Sequence, residues 1–116
     1  MSEPITWKFE ILDPVALRKS LKQLSQKQYF DLLEHIGASL SILGLRVFQT
    51  GAAKWLGGGL AELRYRENPD VLVRVFFCIR NGEFILLLSA YDKKRDPSVK
   101  RQQAEIKLAR KIMKGL

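Results

Sequence analysis

The chain has 116 residues, 47% of them hydrophobic, and a net charge of +8; that length fits one domain, residues 1–116, and that apolar share excludes global disorder. One cysteine and one histidine exclude an internal disulfide and a structural zinc site, and the lone thiol fits a reducing cytoplasm. No apolar run approaches the roughly 18 residues of a membrane helix, and MSEPITWKFE lacks the basic-then-apolar layout of an export signal, so the expectation is a cytoplasmic protein that does not engage a membrane.

In chain order, Trp7, Phe9 and Ile11 alternate with Lys8, Glu10 and Leu12, the period-two pattern of a strand with one buried face. Asp13 and Pro14 supply an N-cap and a first-turn proline, after which Val15, Leu17, Leu21 and Leu24 keep helical spacing up to Ser25. Ser25 caps a second helix whose apolar stripe is Tyr29, Leu32, Leu33, Ile36, Leu40 and Leu43, and Gly44 suits its end. The two form a hairpin able to lie across a sheet. Residues 45–59 read as irregular, with the GGG run at 57–59 supplying loop flexibility.

Beyond them, Ala61, Leu63 and Tyr65 alternate with Glu62, Arg64 and Arg66. Asn68, Pro69 and Asp70 make a turn. VLVRVFFCIR (71–80) is a long strand, joined through Asn81-Gly82, a strong hairpin signal, to EFILLLSAY (83–91). Asp96-Pro97 opens a last helix striped by Val99, Ile106, Ala109, Met113 and Leu116. The order β-α-α-β-β-β-α describes an α+β domain: a small antiparallel sheet, an N-terminal helix hairpin and a C-terminal helix.

Charge is unevenly placed, with a net +7 over residues 93–116, a field that attracts phosphate backbones. Strand parity adds detail. Val73, Val75 and Phe77 point to the core, so Arg74 and Phe76 take the other face, together with Glu62, Arg64 and Arg66. With one face under helices, the other is expected to display arginines, which fit phosphate through a planar fork. The GGG run is no phosphate loop, since no Gly-Lys-Ser/Thr follows. His35 beside Leu32 and Ile36 reads as a packing or rim residue, and Cys78 has no adjacent histidine to activate it.

Four stretches in series carry a resemblance: KWLGGGLAELR (54–64), RVFF (74–77), ILLLSAYDKK (85–94) and AEIKLARKIMK (104–114). Together they resemble the RelE/ParE toxin superfamily, and within it the HigB-like, phage-derived group. The resemblance implies a RelE-like fold and the toxin of a toxin–antitoxin pair, a ribosome-dependent mRNA endoribonuclease using metal-independent attack by the RNA 2′-hydroxyl, with no cofactor. Its implied partners are a cognate antitoxin of helix-turn-helix type, the ribosome and mRNA. Arg74 would stabilise the phosphorane, Tyr91 would stack a base or exchange a proton, and Lys93 would complete the catalytic set. Lys54, Arg64, Arg66, Lys94 and Arg95 would contact RNA. The chain departs from some members of the superfamily in carrying Leu60 and Glu62 at strand positions where they have lysines, and in having no histidine near the site. ParE-type relatives act on gyrase instead, so a non-cleaving inhibitor or nucleic-acid-binding module, or an inactive phage remnant, is the alternative.

Overall fold

The computed structural model describes residues 7–68, 71–92 and 99–116. Its elements are β1 (Lys8–Ile11), α1 (Pro14–Ser20), α2 (Gln26–Leu43), a short 3-10 helix (Gly44–Gln49), β2 (Ala53–Gly57), β3 (Leu60–Asn68), β4 (Val71–Arg80), β5 (Glu83–Asp92) and α3 (Val99–Lys114). They form an α+β fold on a five-stranded sheet ordered β1-β5-β4-β3-β2. The sheet is mixed. β2 to β5 pair antiparallel with their neighbours, whereas β1 joins the far edge parallel to β5, Phe9 opposite Phe84. That pairing is open to β1 because the long excursion through helices and three strands separates it from β5.

Local chemistry explains the helix boundaries. The Asp13 carboxylate accepts from Ala16 N–H, and Ser25 and Gln28 form a reciprocal capping box at the start of α2. Helix α1 stops at Ser20, short of the expected Ser25. Leu21 and Leu24 reach the core from the turn that follows, while Val15 is exposed. Gly44 ends α2 at a φ of 53°, where other residues are strained.

Two apolar layers sandwich the sheet. On one face, Leu32, Ile36 and Leu40 of α2 pack on Leu63, Val75, Phe77 and Phe84. On the other, Ala109 of α3, with Ile106 and Met113, covers Leu60, Phe76, Cys78 and Leu87. This second layer corrects the expectation of an open arginine-bearing face: Leu60, Phe76, Cys78 and Leu87 are too apolar to face water, and α3 removes them from it. Val99 and Leu116, expected in the α3 stripe, are exposed.

The segment read as irregular holds a 3-10 helix and the edge strand β2, in which Ala53 is buried and Lys54 exposed. The glycine run is the tight connection from β2 to β3. Gly57, Gly58 and Gly59 have φ of 96°, 62° and 85°, all in the left-handed region that glycine enters without strain. A further irregularity lies in β5. Phe76 pairs with Leu88 and Phe77 with Leu86, so Leu87 is an extra residue that breaks strict alternation. The turn at Pro69 and Asp70 and the helix start at Asp96-Pro97 lie outside the described residues. Among those described, no helix is long and apolar enough to cross a membrane.

Candidate functional site: two arginine–glutamate pairs on the α3 face

The antiparallel register sets Arg64 of β3 directly opposite Arg74 of β4, and Arg74 opposite Ala90 of β5. Two like charges facing each other across a ladder repel. Each arginine has its own carboxylate. Glu62, on the same face two residues earlier, accepts from Arg64 Nε at 2.7 Å; Glu62 is 3% exposed and the Arg64 side chain 43%. Glu105 of α3 pairs through Oε2 with Arg74 Nη2, and through Oε1 with Arg101 Nε at 3.2 Å.

The two arginines differ in access. Arg64 is held at its base by Glu62 and reaches solvent. Arg74 is 1% exposed, enclosed between sheet and helix, with its guanidinium 5.8 Å from the Phe76 ring centroid. A buried guanidinium is sustained only by a paired anion and favourable packing, and Glu105 and Phe76 supply these. The expectation that Arg74 stands open for phosphate is therefore corrected: one Glu105 oxygen pairs with its Nη2 under α3, a nitrogen that a phosphate oxygen could otherwise take.

The other expected RNA contacts fall around this pair. Lys54 of β2 is opposite Glu62 and exposed. Arg66, exposed and opposite Leu72, continues the face toward the end of β3. Lys54, Arg64, Arg66 and Arg74 thus belong to one face of one sheet. The Tyr91 backbone is opposite Val73, one step along from the Arg74–Ala90 pair. The Tyr91 side chain and all of Lys93, Lys94 and Arg95 lie outside the described residues.

Sequence reasoning missed Glu105 and Arg101 as members of the site. A signal was present: Glu105 is the sole acidic residue of α3 among six basic ones, and at four and seven residues before Ala109 and Ile112 it lies on the buried side. The residues set aside stay outside the site. His35 packs on Tyr65 at a ring distance of 4.8 Å. Cys78 is buried beneath α3; burial pushes its thiol up, against a smaller pull from Arg80, which leaves little thiolate for nucleophilic attack.

No curated protein and no solved structure matches the chain. A family model described as Phage derived protein Gp49-like (DUF891) matches residues 18–114, from within α1 to the last residue of α3 and including every described residue of the site. The chain therefore belongs to the phage-derived Gp49-like family, a RelE/toxin-like family.

Proposed function

We propose that the chain is the toxin of a type II toxin–antitoxin pair, of the HigB-like branch, that cleaves mRNA on the ribosome without a metal or cofactor. The observation that carries this reading is the Arg64–Arg74 pair, set side by side on one sheet face and each holding a carboxylate. Attack by a 2′-hydroxyl on the adjacent phosphate builds negative charge on the phosphorane oxygens, and positioned guanidinium groups stabilise such charge. A scissile phosphate competes with Glu105 for Arg74, so in this reading substrate entry displaces one anion with another at the contact between α3 and β4. Tyr91 is assigned to base stacking or proton exchange at the strand exit, and Lys93 to backbone binding or to lowering a neighbouring pKa. Lys54, Arg64, Arg66, Lys94 and Arg95 are assigned to the RNA backbone. A helix-turn-helix antitoxin neutralises the protein in the cytoplasm.

The burial of Arg74 favours one second reading, a non-cleaving inhibitor such as a ParE-like gyrase poison, in which Arg74 only fastens α3. Inducing the wild type and an Arg74→Ala/Tyr91→Phe variant, then mapping mRNA 5′ ends, separates the two. The proposal expects new 5′ ends within translated regions for the wild type alone. Growth arrest with intact messages and accumulated DNA breaks would establish the second reading.

A further inference from the structure

Helix α3 carries a lysine stripe that the site does not use. Lys100, Lys107, Lys111 and Lys114 are all exposed. At roughly 100° per residue they fall within about 40° of one line along the helix, opposite Ala109. The stripe is about 21 Å long, and Lys107 and Lys111 are about 6 Å apart along it. Ala104 and Leu108 flank it, and together with Lys107, Lys111 and Lys114 they line a shallow depression of about 530 Å³. Arg110 is excluded from the stripe, because it donates to the Leu56 and Gly57 carbonyls at 2.8 Å each.

Nothing acidic on α3 neutralises these lysines. The helix's one carboxylate, Glu105, bonds Arg74 and Arg101. Lys107 and Lys111 at i,i+4, and Lys111 and Lys114 at i,i+3, repel and destabilise a helix by themselves. A solubility face is served equally well by mixed charges, which carry no such cost. The arrangement becomes favourable only against a polyanion.

We infer that the outer face of α3 is a docking ridge for an RNA phosphate backbone, separate from the arginine pair and used to hold the protein on structured RNA. An acidic protein partner fits less well. Lysine is depleted from protein–protein interfaces, and among the described residues Leu108 is the only large exposed apolar side chain beside Lys107, Lys111 and Lys114. RNA interfaces, by contrast, take phosphate contacts from lysine point charges. From the proposed function the inference takes only that RNA is the target, and its test does not read cleavage.

The test measures binding of a 16-base-pair RNA duplex by fluorescence anisotropy across a potassium chloride series. It compares the wild type, Lys107→Gln/Lys111→Gln/Lys114→Gln, and Lys19→Gln/Lys22→Gln/Lys27→Gln, a variant with the same charge change on the helix hairpin. Circular dichroism checks that each is folded. The expected result is a log–log salt slope shallower by about 2–3 for the α3 variant alone, near 0.9 for each phosphate no longer neutralised. Equal slopes for all three proteins, or equally shallow slopes in both variants, would overturn the ridge. So would tighter binding of a poly-glutamate peptide than of the duplex. Absence of mRNA cleavage in cells with the salt slopes as expected would refute the proposed function and leave the ridge standing.

Discussion

The Arg74–Glu105 pair is where chemistry and stability meet in one contact. Removing one partner from a buried ion pair leaves an uncompensated charge and costs about 3–5 kcal/mol. Glu105 is 17% exposed, which places Glu105→Ala near the lower end, at about 3 kcal/mol in urea unfolding. The exposed partner, Arg101, contributes ~0.5 kcal/mol or less, so Arg101→Ala leaves the midpoint almost unchanged. Replacing both buried charges, as Arg74→Met/Glu105→Leu, recovers most of the loss because the packing survives without the desolvation penalty. Equal costs for Glu105→Ala and Arg101→Ala would show that the pair is not buried in solution. Strand parity made the face of Arg74 legible from the sequence. Its burial was not, because parity says which side a residue takes and nothing about what covers that side.

At the scale of elements, the Phe9 ring of β1 packs closely over Gly37 in the second half of α2. A Cβ on Gly37 would lie 2.6 Å from Cε1 of Phe9, so Gly37→Ala must displace the Phe9 ring from its packing against α2. The expected cost is about 1–3 kcal/mol, despite alanine's better helix propensity. Ser25→Ala, which opens the capping box, costs about 1 kcal/mol. Both are read from equilibrium unfolding, and a neutral Gly37→Ala would refute the close packing. The helices with caps and the strands with clean alternation were legible in the sequence. Edge strand β2 was not. It is five residues long and bounded by glycines, and only the Ala53-Lys54 contrast marks it. The extra residue at Leu87 was equally hidden, since three successive leucines carry no phase. Parallel addition of β1 depends on a partner more than seventy residues away, beyond the reach of any local pattern.

For the whole molecule, burial sets an alkaline limit. Burial raises the Tyr29 hydroxyl, with Arg18 opposing it, and raises the Cys78 thiol, with Arg80 opposing it. The neutral forms are thus favoured in the folded state. Their contribution is complete below the unfolded thiol's pKa of ~8.5 and is lost as pH rises toward the higher folded values, because the unfolded chain releases its protons first. Thermal stability is expected to fall above pH ~8.5, with a smaller fall in Cys78→Ala; an unchanged pH profile in that variant would contradict the assignment.

Among the described residues, positive charge is arranged in two ways of different character, arginines bound to carboxylates on the sheet and a row of like-charged lysines along α3. In the proposed function the first is the centre of cleavage. The most direct test is single-turnover cleavage of a defined mRNA, free and bound to purified ribosomes. It compares the wild type with Arg74→Met/Glu105→Leu, which keeps the core filled. The account predicts cleavage of the ribosome-bound message only, slowed by about 10²–10³ in the variant, the usual cost of losing a transition-state donor. An intact message with the wild type, or equal cleavage by both proteins, would contradict it.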